Sequence, residues 1–462
     1  MQLSKHEPND EARPFAELRG LHVQQKRAYL RDHLERVEWS RERIDAERRL
    51  RLRELLRIAC ERSAFHRARL AGIRVDRLEE RDLARLPPMT KADVMGHFDA
   101  IVTDPRLSRE TVEAHLASLG EEPRYLPGGF QAIASGGSSG VRGVYVYDWD
   151  AWRTCYLGWI RYLVRDLGGR PFTMAAVTAG RAIHVSRALL QTFSDPEEIA
   201  VRSLPVTWPV DRIVEGLNQL QPDAFGGYPS ALPALVLAAQ DGRLKIRPRR
   251  VITGGEPLLP EIRAAAEETW GVPVANWWLC SEGGPMGLGC GVGAGMHLAE
   301  DLVIVEPVDA AGQPVPPGTR SAKLYLTNLY NTAMPLIRYE LTDEVTLLDE
   351  PCPCGSAHRR VADVQGRLDD GFVYGSVTVH PHLFRSVLGS ERAIVEYQVS
   401  QTARGAAVAV RGGPVDASRL ERRLEAELER LGVPRAEVSI RVVERLERQD
   451  IGKLKRFLPL AN

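Results

Sequence analysis

The chain has 462 residues, with 61 basic and 61 acidic side chains, and therefore a formal net charge of zero. This balance excludes a strong general attraction to nucleic acid or to an anionic membrane, because such attraction comes from an excess of lysine and arginine. Hydrophobic residues make up 44% and charged residues 26%, which is typical of a globular protein. Six cysteines in a chain of this length exclude a secreted disulfide scaffold.

The first twenty residues are polar and contain no apolar core of a signal peptide. The longest apolar stretch, residues 231–239, contains Pro233 and is far shorter than the ~20 residues that span a bilayer. We therefore expect a soluble, cytoplasmic protein with no membrane partner and no nucleic-acid partner.

Residues 15–70 are rich in arginine and glutamate, with leucine, isoleucine and valine at helical spacing. An arm that binds nucleic acid is one interpretation. Acidic residues interrupt the arginines throughout, so the pattern favours amphipathic helices with solvated faces, packed on the main body.

From about residue 131, short β-rich segments alternate with helical ones. Strands are predicted at residues 144–147, 174–177, 250–253 and 303–306, and helices at 152–167, 210–220, 232–239 and 260–270. This alternation predicts α/β architecture with largely parallel sheets.

After residue 370 the pattern restarts as a small α+β unit, with strands predicted at 406–410 and 438–443 around a helix at 417–431. The expected organisation is an N-terminal helical extension (1–60), a large multi-sheet α/β domain (61–368) and a small C-terminal domain (369–462).

The most prominent motif is the glycine- and serine-rich segment 135–143, which precedes the predicted strand 144–147. Backbone N–H groups and hydroxyls in such a loop can surround a phosphate, although a plain hairpin is equally open on the loop alone. The segment also matches the G-x-S-x-G pattern of serine hydrolases, with Ser138 as nucleophile. That motif needs a helix after the serine, and a strand is predicted here instead.

Eight motifs in order resemble the adenylate-forming superfamily of acyl-CoA synthetases, peptide-synthetase adenylation domains and luciferases, and most closely its phenylacetate–CoA ligase branch. The resemblance covers roughly residues 60–460. The motifs lie at residues 86–91, 135–140, 227–230, 254–257, 278–284, 337–343, 366–370 and 452–456.

The resemblance implies a fold, with a large adenylation domain and a small mobile C-terminal domain, and a role for each motif residue. The 135–142 loop would bind the ATP phosphates, Ser281 would contact the α-phosphate, Glu282 would hold Mg²⁺, and Lys453 would stabilise charge at the α-phosphorus. The adenosine would be held by Asp343 and Arg367 at the ribose and by the 255–257 segment and Trp278 at the adenine. The loop residues concerned are Ser135, Gly137, Ser138, Ser139, Gly140 and Arg142, and those of the adenine segment are Gly255, Glu256 and Pro257.

Tyr228, Trp277 and His184 are expected to line the acid pocket, and Asp369 to be the hinge of the small domain. Two motifs depart from the family pattern. Val141, followed by Arg142, stands where the loop usually carries lysine. In the second motif, Trp278, Leu279 and Ser281 stand where tyrosine, glycine and threonine are usual. Leu279 predicts a reshaped nucleotide or acyl pocket.

Three cysteines and a histidine form a second constellation, at Cys290, His297, Cys352 and Cys354. Three thiols and an imidazole suit a tetrahedral structural Zn²⁺, and Gly355 would permit the tight turn of a Cys-x-Cys knuckle. Members of the branch carry a set of this kind. The alternative is three free thiols beside an unrelated histidine.

The predicted function is ATP-dependent activation of a carboxylic acid through an acyl-AMP, followed by transfer to CoA, with an aryl or arylalkyl acid as substrate. A carrier-protein thiol or an amine as acceptor, a catalytically silent nucleotide-binding protein, and a hydrolase at Ser138 are the alternatives. A homodimer also stays open.

Lysine is scarce, with seven residues against 54 arginines, so Lys453 near the C-terminus is a distinctive feature.

Overall fold

The structure, a computed structural model, describes residues 14–75, 77–135, 143–169, 171–362, 364, 371–375, 377–379, 381–388, 391, 393–449 and 454–460. Within these residues, no helix combines the length and the apolar character that crossing a bilayer requires. The α-helices are α1 Phe15–Glu35, α2 Arg41–Arg62, α3 Ala64–Arg69, α4 Lys91–Gly96, α5 Phe98–Ile101, α6 Arg109–Ser118, α7 Trp149–Asp166, α8 Val185–Phe193, α9 Val210–Leu220, α10 Leu232–Gln240, α11 Pro260–Trp270, α12 His382–Leu388 and α13 Ala417–Arg430.

Within the part of the chain that the structure describes, the strands fall into five sheets. They are β1 Gln131–Ala134, β2 Val144–Tyr147, β3 Phe172–Thr178, β4 Ile199–Pro205, β5 Ala224–Gly227, β6 Arg250–Gly254, β7 Val274–Cys280, β8 Gly284–Leu288, β9 Met296–Leu298, β10 Val303–Val308, β11 Lys323–Asn328, β12 Tyr339–Leu341, β13 Leu347–Leu348, β14 Arg360–Val361, β15 Phe372–Tyr374, β16 Val377–Val379, β17 Ile394–Thr402, β18 Gly405–Gly412, β19 Glu437–Val442 and β20 Phe457–Leu458.

A nine-stranded sheet, in the order β13-β14-β9-β8-β7-β6-β5-β3-β4, forms the centre of the large part of the molecule. Strands β4, β3, β5, β6 and β7 pair in parallel, because helices α8 to α11 carry the chain back between them. From β7 onward the pairing is antiparallel. The expectation of largely parallel sheets is therefore wrong beyond β7, where a tight turn leaves no room for a crossover helix.

The remaining sheets of the large part are antiparallel. Strands β1 and β2, which precede and follow residues 136–142 in the chain, pair with each other, and β10, β11 and β12 form a three-stranded sheet. The predicted strands and helices all have counterparts in the structure, and α9 and α11 have the predicted bounds. The strong apolar periodicity of these segments explains the agreement.

The C-terminal elements form a core of their own. Strands β19, β18, β17 and β20 make a mixed sheet, and α12 and α13 pack against it. The buried residues of this core, such as Phe372, Phe384, Val399 and Leu424, all belong to residues 372–457. Burial of α13 is confined to every fourth residue (Leu420, Leu424, Leu428), as expected for a helix with one face on a sheet.

The N-terminal helices pack on the body, as the sequence predicts, but several of their charged groups are buried rather than solvated. Lys26 of α1 is fully buried and pairs with Asp195 at 3.0 Å. Arg48 of α2 pairs with the buried Glu300 at 2.8 Å. The first pair fixes α1 on the segment between α8 and β4, and the second fixes α2 on the segment that follows β9. Each buried charge needs its partner, because an unpaired buried charge would be costly.

Candidate functional site

The site lies where the parallel strands end. An open cavity of about 890 Å³, including its mouth, is lined by residues at or just after the carboxyl ends of β3, β5, β6 and β7. Ligands of parallel α/β sheets bind at this edge. Tyr228, Trp277 and His184, which the sequence assigns to an acid pocket, all line the cavity, and so does Leu279.

The cavity walls are largely apolar. Trp159 of α7 and Trp277 of β7 meet edge to face, with ring centroids 5.9 Å apart. None of the described residues that line the cavity is Asp, Glu, Lys or Arg. The described lining therefore favours an uncharged group over a charged one, because it provides no acidic side chain, lysine or arginine as a counter-ion. The other large apolar side chains of the wall are Met174, Leu189, Leu190 and Ile252.

The turn that follows β7 carries Ser281 and Glu282, and three side chains hold its backbone. Tyr147 Oη donates to the Ser281 carbonyl at 2.7 Å, Asn328 Nδ2 to the Glu282 carbonyl at 3.0 Å, and Tyr330 Oη to the Gly283 carbonyl at 3.0 Å. Each carbonyl of the turn thus has a partner although the turn is buried, which fixes its conformation.

The carboxylate of Glu282 is held by a pair of buried phenols. Tyr145 Oη donates to Glu282 Oε1 at 2.8 Å and lies 3.0 Å from Tyr339 Oη. Since Tyr145 has one proton and gives it to the carboxylate, Tyr339 donates to Tyr145. Burial, reinforced by the charge of Glu282, raises the pKa of both phenols, so both remain donors at neutral pH.

Glu282 is 6% exposed, its carboxylate accepts from Tyr145, and none of the ion pairs found between described residues involves it. A buried carboxylate without a counter-ion attracts a cation, and its hard oxygen atoms suit Mg²⁺.

The glycine- and serine-rich loop returns to the body beside this carboxylate. Ser135 N donates to the Gly143 carbonyl at 2.8 Å, and Gly143 N donates to Ser135 Oγ at 2.9 Å, so the two ends of the loop are pinned together. A Cβ atom on Gly143 would lie 2.5 Å from Tyr145 Oη. The loop connects two antiparallel strands with no helix after it, which excludes the nucleophile-elbow geometry that a hydrolase at Ser138 requires.

The three residues of the predicted adenine segment, 255–257, have different surroundings in the structure. Gly255, with φ of +79°, lines the cavity. Glu256 and Pro257 are not among the described residues of the lining. The Glu256 carboxylate instead accepts from Ser230 N at 3.0 Å, from Ser230 Oγ at 3.1 Å and from Leu454 N at 2.9 Å. Its engagement with the C-terminal segment was not foreseen from the sequence.

Trp278 and Asp343 are both buried near the end of β7. The Trp278 ring packs over Gly287 of β8, and within the described residues Trp278 is not part of the cavity lining. Asp343 is 5% exposed and close enough to Cys280 to raise the pKa of that thiol, together with burial, which is the largest cause, and Glu282. The end of β7 therefore brings Ser281, Glu282 and Asp343 together.

Several predicted site residues lie outside the described residues. They are Gly137, Ser138, Ser139, Gly140, Arg142, Arg367, Asp369 and Lys453.

The four predicted metal ligands come together in space. One ligand atom from each of Cys290, His297, Cys352 and Cys354 lies within 4.8 Å of the others. Cys290 Sγ and Cys352 Sγ are 3.6 Å apart, and His297 Nε2 is 3.3 Å from Cys354 Sγ. The chain turns tightly after Cys354 at Gly355, with φ of +81°, as the knuckle interpretation predicts.

The orientation of the histidine fits a ligand role. His297 Nδ1 lies 3.2 Å from the carbonyl of His358, so the proton is placed on Nδ1 and the lone pair of Nε2 faces the thiols. The ring stacks on Tyr162 at a centroid distance of 5.3 Å. The four side chains therefore form a candidate metal site, and its three sulfurs and one nitrogen match a closed tetrahedral site.

The phenols around Glu282 were missed at the sequence level. A usable signal existed for two of them. Tyr145 and Tyr147 are two residues apart on a strand directly after the loop, so both face the same side of the sheet. Tyr339 lies 194 residues from Tyr145 along the chain, so no local spacing links the two, although Tyr339 falls within the 337–343 motif.

Comparisons with known proteins agree with this geometry. No family model matches the chain. The chain is 28% identical over 381 residues to a phenylacetate-coenzyme A ligase of Thermus thermophilus, with 78% of each chain covered. It is 25% identical over 323 residues to a phenylacetate-coenzyme A ligase of Aromatoleum evansii, with 67% of each covered.

Among solved structures, a 2-hydroxyisobutyryl-CoA ligase in complex with 2-HIB-AMP superposes with a TM-score of 0.73 at 20% identity, covering 92% of this chain and 91% of that one. The chain therefore has the fold of the adenylate-forming ligases. Together with the sequence relatives, this confirms the resemblance to that superfamily and, within it, to the phenylacetate–CoA ligase branch.

The protein's stability is expected to depend on glycine at position 284, in the turn after β7. Gly284 has φ of +65°, and a Cβ there would lie 2.2 Å from Tyr330 Oη and 2.7 Å from Cys155 Sγ. Gly284→Ala is expected to lower the free energy of unfolding by on the order of 3 kcal/mol, since backbone strain and overpacking add. Chemical denaturation measures the loss.

Gly271→Ala is the matched control. Gly271 has φ of +66°, but nothing lies within 4 Å of its Cβ position. Only the backbone cost of about 1 kcal/mol is expected there. An equal loss of unfolding free energy in Gly284→Ala and Gly271→Ala would show that the turn after β7 is not tightly packed.

Proposed function

We propose that this chain is an ATP-dependent, AMP-forming acid–CoA ligase. The proposal depends chiefly on the carboxylate of Glu282, which is buried and has no cationic partner among the described residues. Tyr145 holds it, and Tyr145 lies on the strand that follows the glycine- and serine-rich loop. Ser281, the residue that precedes Glu282, lines the apolar cavity. A nucleoside triphosphate with its metal ion would supply the missing cation, and an uncharged acyl chain would fill the cavity.

In the first half-reaction a carboxylate oxygen of the acid attacks the α-phosphorus of ATP, and pyrophosphate leaves. The 135–142 loop, with Ser135, Ser138 and Ser139, would hold the leaving phosphates, and Ser281 the α-phosphate. Lys453 would stabilise the charge that develops at the α-phosphorus. Mg²⁺ at Glu282 would neutralise phosphate charge. The buried phenols keep the carboxylate oriented toward that position.

The remaining assignments follow the motif order. Asp343 and Arg367 would hold the ribose, and Gly255 with the neighbouring Pro257 and Trp278 would bound the adenine. In the second half-reaction a thiol attacks the acyl carbon, and AMP leaves. We assign residues 369–462 as the small domain that moves between the two half-reactions about Asp369, with residues 61–368 as the large domain and 1–60 as the extension.

The substrate class follows from the cavity. Aromatic walls at Trp159 and Trp277 offer edge and face contacts to a ring, and the absence of charged residues from the described lining disfavours dicarboxylic and amino acids. An aryl or arylalkyl acid fits best, with Tyr228 and His184 also in contact. CoA is the proposed acceptor, since the curated relatives carry the names of CoA ligases.

Pyrophosphate exchange tests the function. Phenylacetate, benzoate, acetate and malonate are offered separately with ATP and Mg²⁺, and exchange is expected to be at least ~10-fold faster with the aryl acids than with malonate, because the cavity excludes charge. Lys453→Ala is expected to lower exchange by ~100-fold or more while ATP binding persists.

The outcomes separate the alternatives. Exchange without CoA consumption would identify a carrier-protein thiol or an amine as acceptor. Retained ATP binding with no exchange for any acid would contradict the ligase and indicate a silent nucleotide-binding protein.

We further propose that Cys290, His297, Cys352 and Cys354 hold a structural Zn²⁺, which would crosslink the 290–297 and 352–354 segments. Metal analysis of the purified protein is expected to give about one zinc per chain, since a closed set of four ligands retains its ion. Cys354→Ser is expected to lose most of the zinc and to lower the melting temperature.

Cys60→Ser is the control, because Cys60 is a half-buried free thiol outside the cluster. A zinc content below ~0.1 per chain in the parent protein, or one unchanged by Cys354→Ser, would contradict the zinc site.

A further inference from the structure

A hydrogen-bonded chain joins the C-terminal core to the strand ends that form the site. Arg448 bridges the two, because its Nη1 donates to Ser230 Oγ at 3.0 Å and its Nη2 donates to Glu396 Oε1 at 2.5 Å. Glu396 lies on β17 and is 3% exposed. Ser230 follows β5 and donates through its N and Oγ to the carboxylate of Glu256, which follows β6.

The same carboxylate receives the C-terminal segment. Leu454 N donates to Glu256 Oε1 at 2.9 Å, and the Leu454 side chain is 6% exposed. The donating N–H belongs to the peptide bond that links residue 454 to Lys453. Charge-assisted bonds from three donors therefore end on one carboxylate, and one of those donors adjoins the lysine in sequence.

These contacts depend on the placement of the C-terminal core. Leu454, Arg448 and Glu396 belong to the C-terminal elements, whereas Glu256 and Ser230 belong to the strand ends of the large part. A rotation of the small domain would separate Leu454 N from Glu256 and Arg448 from Ser230, while the bonds between Ser230 and Glu256 would persist.

We infer that Glu256 is a positioning residue, which seats the Lys453-bearing segment for adenylation and releases it for thioester formation. The inference rests on the proposed ligase function. Its role differs from lining the adenine slot, because the carboxylate is already occupied by Ser230 and the C-terminal segment. Arg448 supports the same placement of the C-terminal segment, because it joins Glu396 of β17 to Ser230.

Separate assays of the two half-reactions test this role. Single-turnover pyrophosphate release reports adenylation, and conversion of chemically prepared acyl-AMP by CoA reports thioester formation. Glu256→Ala is expected to slow adenylation by about 10- to 100-fold, since a charge-assisted anchor is lost. The rate of thioester formation is expected to stay within about twofold of the parent rate, and this retained activity also shows that the variant is folded.

Arg448→Ala distinguishes positioning from nucleotide contact. Arg448 reaches Ser230 and Glu396 rather than the cavity, so the same split between half-reactions, by about three- to tenfold, supports the inference. Glu261→Ala, at an exposed position of α11, is the control and is expected to leave both half-reactions unchanged.

Three results would overturn the inference: equal loss in both half-reactions for Glu256→Ala, a rise in the KM for ATP with the adenylation rate intact, or no effect of Arg448→Ala. A parent protein that adenylates no acid would instead overturn the proposed function, so the two failures are distinguishable. Should Glu256→Ala fail to fold, the Arg448→Ala result decides alone.

Discussion

The arrangement of the site depends on the hydrogen bond between Tyr145 Oη and the carboxylate of Glu282. This bond joins the strand after the glycine- and serine-rich loop to the turn after β7, and Tyr339 joins β12 to the same point. Three segments that are distant in sequence are thereby held around one buried charge. Because Tyr147, Asn328 and Tyr330 fix the backbone of the same turn, the carboxylate is preorganised rather than adaptable.

A second constraint links the N-terminal helices to the metal-ligand cluster. The Glu300–Asp301 segment follows β9, which carries His297, and it receives Arg48 of α2 and Arg161 of α7. The carbonyls of Arg36 and Val37, just after α1, also accept hydrogen bonds from His358 and Ser356, which follow the Cys352–Cys354 knuckle. The extension therefore braces the far end of the central sheet, away from the cavity. A rigid sheet and a separately cored C-terminal unit suit an enzyme in which one part moves against a fixed site.

Local patterns predicted much of this structure, and long-range contacts account for what they missed. Strands such as β6 and helices such as α9 and α11 carry strong periodicity, so their positions could be foreseen. Strand β8 contains two glycines and a proline, strand β9 has only three residues, and their antiparallel pairing was not predicted. The four metal-type ligands were found because cysteine spacing is a local signal. The contact between Glu256 and Leu454 spans 198 residues, and no pattern in the sequence encodes it.

The central claim is that a carboxylate of the substrate attacks the α-phosphorus of ATP, and an oxygen label tests it most directly. Phenylacetate labelled with ¹⁸O in its carboxylate is converted in the presence of ATP, Mg²⁺ and CoA. The ¹⁸O content of AMP and of pyrophosphate is then measured by mass spectrometry. Because the bridging oxygen of the acyl-AMP comes from the acid and leaves with the phosphorus, one ¹⁸O atom is expected in AMP and none in pyrophosphate. Unlabelled AMP, or label in a phosphate released with ADP, would contradict the acyl-AMP route.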